Sequence, residues 1–232
     1  MSDGDTKIQA ESAPKLPTSL KFIRQVNFPD EPECVCRYNG VTYVGLYNGV
    51  AKVSDDKTTG EMIIDDVADA TGLFIYKDEI YVLVNDVSYF KMYVYNLQGK
   101  RKREWDTCMH CVNHGMIKFA VINDKIVIPH PQEDLLLIYS LTGESLKNIP
   151  CPLGSCDQVY IHTANDDCVI VSPCNPMGPL FKINIENGDI LWRKSNLKSP
   201  NGAVSYKVDY LLVCARDSTD YHIFMLNIHT GK

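Results

Sequence analysis

The 232-residue sequence lacks most of the features that assign a chain to a class at a glance. No apolar run approaches the roughly 18–20 residues of a membrane-spanning helix. The densest patch, Leu135–Leu141, is only as long as a strand. The first nineteen residues have neither the basic start nor the apolar stretch of a secretory signal, and no Asn-x-Ser/Thr acceptor occurs anywhere. Positive charge is scarce: 23 Lys and Arg stand against 29 Asp and Glu, a net charge of −6, so the overall field repels nucleic acid and anionic membranes. The motifs G-x-S-x-G, H-E-x-x-H, G-x-G-x-x-G and the P-loop are all missing, and Gly154-Ser155-Cys156-Asp157 lacks the second glycine of a nucleophile elbow. No segment sustains the 3.6-residue apolar period over three turns, which argues against helix.

What is present is enough apolar material, 45% of residues, to build a sizeable core and exclude intrinsic disorder. Nine cysteines are scattered along the chain. Without a signal they read as reduced intracellular thiols, which makes this an acidic, soluble, cytoplasmic chain. Ser, Asp, Lys and Pro predict a flexible leader over residues 1–19, ahead of one domain over 20–232.

That domain is repetitive. Short apolar runs end in a glycine turn at Gly60, Gly99, Gly143, Gly188 and Gly231, at intervals of 39, 44, 45 and 43 residues. About 20 residues before each glycine, a polar turn leads into a β-rich run: VTYVGL, IYVLV, IVIPH, CVIVS and YLLVCA. A further apolar segment precedes each of those turns, and a more polar one (EMIIDD, KRKREWD, ESLKNIP, DILWRKS) follows four of the glycines. Four short antiparallel strands per unit of this length predict an all-β fold, a β-propeller of four-stranded blades. The strands are lettered a to d from channel to rim. Five repeats are visible, which fits a five-bladed ring or a six-bladed propeller lacking one blade. The fifth repeat has no strand d, and Leu20–Val26 reads as the lone strand that completes it beside Ile223–Ile228, leaving no open edge.

Two of these units resemble known repeat families. EPECVCRYNGVTYVGLYNGVAKVS and the blade ending IYSLTG resemble NHL-type repeats, as in the propellers at the C-terminus of tripartite-motif ubiquitin ligases. INIENGDILWRKS is similar to a quinoprotein-type repeat, in which a Trp docks; Trp192, and less cleanly Trp105, suit that role. A WD-repeat fits poorly, because Trp105-Asp106 ends strand d rather than strand c. No zinc RING, B-box or coiled coil accompanies the repeats, so ligase chemistry does not carry over.

Propellers bind with the loops of one face, here those joining b to c and d to the next a. The candidate binding residues are Tyr47, Asn48, Asn85, Asp86, Tyr89, His130, Gln132, Asn175, Arg216 and Asp217. Together they offer amides, acids, aromatics and a cation for a protein or peptide partner. Turn chemistry alone also places Asn and Asp at such positions. Cys108, Cys111 and His114 have zinc-like spacing, but the fourth ligand is missing unless Cys151 or Cys156 supplies it, and loop thiols are the simpler reading. Lys100–Arg103 (KRKR) points to RNA, yet it falls on a rim strand away from the loop face. Asn48, Asn85, Asp86, Asn175 and Asp217 recur at matching loop positions, as in the metal-dependent lactonases that resemble this architecture. The expectation is therefore a non-enzymatic protein-binding scaffold with no catalytic residue, metal, cofactor or membrane contact. An RNA-binding or substrate-recognition NHL-like module and a lactonase-like hydrolase are the alternatives.

Overall fold

The computed structural model describes residues 25–232, apart from 56, 87, 111–115, 155, 165–166, 175–177 and 217–219. The predicted leader, and Leu20–Arg24 of the predicted closing strand, lie outside the described residues. All the regular structure among those described is β.

Five antiparallel sheets stand in a ring, making a five-bladed β-propeller. The first blade is β1 (Pro32–Tyr38), β2 (Val41–Leu46), β3 (Gly49–Val53) and β4 (Glu61–Ile64); the second is β5 (Ala70–Tyr76), β6 (Glu79–Asp86), β7 (Tyr89–Asn96) and β8 (Arg101–His110). In the third, strand a is broken into β9 (Met116–Ile117) and β10 (Ala120–Ile122), followed by β11 (Lys125–His130), β12 (Leu135–Ser140) and β13 (Ser145–Pro150). The fourth is β14 (Gln158–Thr163), β15 (Cys168–Pro173), β16 (Leu180–Asn184) and β17 (Ile190–Lys194). The fifth, β18 (Pro200–Tyr206), β19 (Tyr210–Arg216) and β20 (Tyr221–Asn227), has three strands among the described residues. β9 leaves its own blade and pairs in parallel with β14, which stitches the third and fourth blades together at the channel.

The turns follow from local chemistry. Asn39-Gly40, Lys77-Asp78 and Asn123-Asp124 all have positive φ, the two-residue geometry whose twist matches a hairpin. Side chains then latch neighbouring blades across these turns: Tyr38 Oη donates to Asp78 (3.0 Å), Lys77 to Asp124 (2.6 Å) and Asn123 to Asp167. The periodic glycines have a second purpose. Gly143 (φ +91°) and Gly231 (φ +67°) lie against the indoles of Trp105 and Trp192, strand d residues of the preceding blades. A Cβ on Gly143 would sit 2.5 Å from the Trp105 ring. Gly188 meets Ile149 of the preceding blade in the same way. Trp192 also donates through Nε1 to the Ile228 carbonyl (3.0 Å), whereas the buried Nε1 of Trp105 has no partner among the described residues.

Blade faces bury one another. The largest cluster runs through blades two to four and includes Tyr81, Met92, Ile126, Leu136, Ile138, Val171 and Phe181, all fully buried. Ile170, Leu211, Val213 and Leu226 pack the fourth blade on the fifth. Gln25 and Val26 form no strand. Asn27 bonds instead to the first blade, its N–H donating to Thr58 O and its carbonyl accepting from Gly60, while the Phe28 ring covers Gly60.

Candidate functional site

The loop face is assembled from hairpin ends that the strands hold rigidly. Tyr47 and Asn48 form the tight turn between β2 and β3. Tyr47 N–H donates to Glu31 O (3.2 Å), and Asn48 donates to the Asp30 carboxylate from both its backbone (3.0 Å) and its side chain (2.7 Å). The Tyr47 ring is left 51% exposed. Its carbonyl accepts from Asp69 N–H (2.5 Å), and the Asp69 carbonyl accepts from Asn85 N–H (3.1 Å), a main-chain relay from the first blade to the second. Asn85 and Asp86 close β6 and Tyr89 opens β7, so these three are strand residues and not loop residues: pairing continues to Asp86↔Tyr89 and leaves only two residues for the turn. Tyr89 is 44% exposed and its ring lies against that of His110, tilted by 40° with centroids 4.5 Å apart.

Around the ring the picture changes. His130 belongs to β11, because its pairing with Leu135 extends the hairpin. It is buried, and its Nδ1 has no hydrogen-bond partner among the described residues, so it offers nothing to a partner at the surface. Gln132 is exposed in the turn that follows. Asp134 folds that turn onto the loop after β13, accepting from Leu153 and Gly154 N–H (2.8 Å each). Arg216 ends β19, opposite Tyr221. Asn175 and Asp217 lie outside the described residues. The structure therefore brings together Tyr47, Asn48, Asn85, Asp86 and Tyr89 on two adjacent blades. It sets Gln132 on a third and takes His130 out of the surface.

The sequence reading missed Asp30, Asp69 and Asp134, which organise the loops. An aspartate just before or after each hairpin was the available signal. The face is acidic: Asp30, Glu31, Asp69, Asp86, Glu133 and Asp134 lie on its loops and strand ends, against Lys118, Lys198 and Arg216 among the described residues. Among those residues no three His, Cys, Asp or Glu side chains are grouped to hold a metal ion. Cys108 is exposed at φ +57°, and Cys111 and His114 fall outside the description.

The basic run is engaged at the rim. Arg101 pairs with Asp66 (2.6 Å) and Glu104 (2.7 Å) and lies over Tyr93; Lys102 bonds to Glu79. Arg103 reaches Glu79 (2.6 Å) and the Leu141 carbonyl of the next blade (3.0 Å). Arg103 in the first place, with Lys102 and Tyr81, holds the Glu79 carboxyl down to about 2 against the opposing effect of burial.

At the axis, inner strands from all five blades line a cavity of about 550 Å³. Its apolar walls are Leu73, Phe74, Phe119 and Ile161, and its polar groups include Cys34, Cys36, Arg37, Lys118 and His162. His162 Nε2 lies 3.0 Å from Ser205 Oγ.

No family model matches the chain, and no curated protein does. Among solved structures it is similar to the WD40 β-propeller domain of Doa1 (TM-score 0.65, 10% identity, covering 90% of this chain and 69% of that one). It is also similar to the Pan2 WD40 domain of Neurospora crassa (0.60, 8%, 86% and 63%) and to the computationally designed Ika8 protein (0.57, 14%, 87% and 60%). The chain thus spans less than two thirds of the length of the last two. At such identities the likeness shows the fold, a β-propeller. No helix among the described residues is long and apolar enough to cross a membrane.

Proposed function

We propose that the propeller is a protein-interaction module that holds a segment of a partner on its loop face and catalyses no reaction on it. The observation that carries this reading is the pair of exposed tyrosines, Tyr47 and Tyr89, on the hairpin ends of adjacent blades joined by the Tyr47–Asp69–Asn85 relay. Aromatics fixed in a tight turn or at a strand end are ordered before binding, so docking them costs little entropy, and Tyr is enriched at interface hot spots. The carboxylates around them favour a partner segment bearing Lys or Arg, whose cations also stack on tyrosine faces.

Within propellers we read the blades as NHL-type, since Pro32 opens β1 and Pro200 opens β18, in keeping with a proline-led strand a. RNA is a poorer fit than protein, because Arg101, Lys102 and Arg103 are tied to carboxylates and the loop face is acidic. Cys34, Cys36, Cys108, Cys151, Cys156, Cys174 and Cys214 form no disulfide among the described residues, in keeping with the cytoplasmic, reduced-thiol expectation.

Photo-crosslinking tests the reading, with benzoylphenylalanine placed at positions 47 and 89 on the loop face and at 102 and 187 on the rim and opposite face. Adducts concentrated at 47 and 89, and competed away by unlabelled chain, support it. Equal capture at all four positions refutes it. Retention on RNA at low salt is expected to be absent.

A further inference from the structure

The channel holds a group that the loop-face reading does not use. Lys118 belongs to the third blade, in the break between β9 and β10, and its side chain crosses to two others. Nζ donates to the Glu33 carbonyl at the start of β1 (3.0 Å) and to the Thr71 carbonyl in β5. A neutral amine has two N–H bonds and one lone pair. Two main-chain carbonyls take both N–H bonds, so the remaining tetrahedral position of the nitrogen is left for the cavity that Lys118 lines.

The surroundings favour that neutral form. Burial pushes the Lys118 amine below its ordinary range, opposed by the weaker influence of Cys34, Glu33 and Asp69. A desolvated lysine amine beside an apolar cavity is the arrangement that makes this side chain a nucleophile toward carbonyl carbon. The thiols of the same channel are held back: burial raises Cys34 to about 11, where its Sγ–H donates to the Ala70 carbonyl, and it raises Cys36 as well. At neutral pH both remain thiols, and the amine is left as the stronger nucleophile.

We propose that the channel is a small-molecule site for an apolar aldehyde or ketone, captured by Lys118 as an imine. In that step the amine nitrogen bonds to the carbonyl carbon and the C=O bond is lost. The carbonyl oxygen leaves as water with two hydrogens, both from the amine in the overall balance, and no oxidant or reductant is required. The class follows from the walls. Phe74, Phe119, Leu73 and Ile161 suit an aromatic or branched aliphatic body, and a cavity of about 550 Å³ lies within the range of small-ligand pockets. Glu33 and Asp69 near the amine disfavour a carboxylate beside it, and the Arg37 cation that also lines the cavity is already paired with Asp55 (2.8 Å), so a neutral carbonyl compound fits best. This is an inference about the channel and stands apart from the partner on the loop face.

The experiment is reductive labelling of the folded full chain at neutral pH with benzaldehyde and cyanoborohydride, located by peptide mass spectrometry. Lys118 is expected to label faster than exposed Lys207, since a buried amine pushed below its ordinary range holds more free base at neutral pH. The preference disappears in denaturant. Lys118→Arg keeps a donor for the two carbonyls and loses the adduct without redistributing it to other lysines. Should that variant fail to fold, the rates on the natural chain decide alone. Labelling of Lys118 no faster than Lys207 overturns the proposal and leaves Lys118 as a staple between three blades.

Discussion

The seam between the second and third blades and the exposed faces of the fifth and first blades are made of the same kind of residue, yet they end differently. At the seam, β-branched and aromatic side chains from both sheets are fully buried, the Trp105 indole lies on Gly143, and the Tyr139 hydroxyl donates to Thr107 O (2.5 Å). Arg103 then bridges Glu79 to the Leu141 carbonyl across the boundary. On the fifth blade, Val204 and Ile223 are each 52% exposed and Cys214 is exposed, although their strand neighbours Leu211, Val213 and Ala215 are buried against the fourth blade. Val35, on β1 of the first blade, is 68% exposed between the axial cavity and a groove of about 400 Å³ lined by Val26, Phe28, Val44 and Val53. Strand patterning supplies two apolar faces to every blade; stability comes only where a second blade lies across from one.

Glycine substitution breaks the comparison hardest. Gly143→Val adds a backbone penalty at φ +91° to a collision with the Trp105 ring, and it is expected to cost about 4 kcal/mol in urea unfolding. Gly202→Ala, in the fifth blade, has the backbone penalty (φ +122°) but only an ordinary 3.7 Å contact to Tyr160, and about 1–2 kcal/mol is expected. Equal costs would show that the seam contributes nothing beyond turn geometry.

Truncation of apolar residues sharpens the same contrast. Ile138→Ala removes a fully buried side chain of the large cluster and should cost about 3 kcal/mol. Ile223→Ala, on the exposed face, should stay within about 0.5 kcal/mol. A comparable loss at Ile223 would mean that its face is covered in solution.

Acid reaches the seam through Glu79. Its native carboxyl is held down to about 2 from an ordinary 4.5, chiefly by the Arg103 bond. The unfolded carboxyl therefore takes up its proton first as pH falls. The stabilisation is complete above pH 4.5 and disappears as the pH drops toward 2. With allowance for screening of a partly exposed pair, the natural chain should lose about 2 kcal/mol more than Glu79→Gln over that interval, read from denaturation midpoints. Parallel curves for the two proteins would place the acid sensitivity elsewhere.

These contrasts also mark what was legible in advance. The strand rhythm and the glycine period were readable, because turn chemistry is local: Asn39-Gly40 or Lys77-Asp78 fixes a hairpin without reference to the rest of the chain. Strand d of the second blade was equally plain from KRKREWD. The reason for the glycines was hidden, since Trp105 meets Gly143 across 38 positions, and so was the engagement of the basic run by Glu79 and Asp66. On the candidate face, Tyr47 and Tyr89 were visible as turn-flanking aromatics. The burial of His130 was not, because it depends on how far β11 and β12 continue to pair before the turn. Lys118 lay unremarked inside MIKFAVI, the apolar segment preceding the turn of the third repeat. Its role comes from the break between β9 and β10, which follows from a parallel pairing to the next blade that no local pattern encodes.

The N-terminal arm lies between the two regions in character. Phe28 is half-buried, covering Gly60 and one side of the groove on the first blade, while Asn27 bonds by its backbone to Thr58 and Gly60. That is less cover than a whole blade provides and more than Ile223 has. Phe28→Ala should therefore cost about 1 kcal/mol, between the outcomes at Ile138 and Ile223. Hydrogen exchange locates the effect: the loss should fall on the amides of Asn27 and Gly60 and leave those of β6 and β11 unchanged. If β6 and β11 exchange faster as well, the arm acts on the whole ring, and the exposed face of the first blade belongs with the seams and not with the exposed face of the fifth.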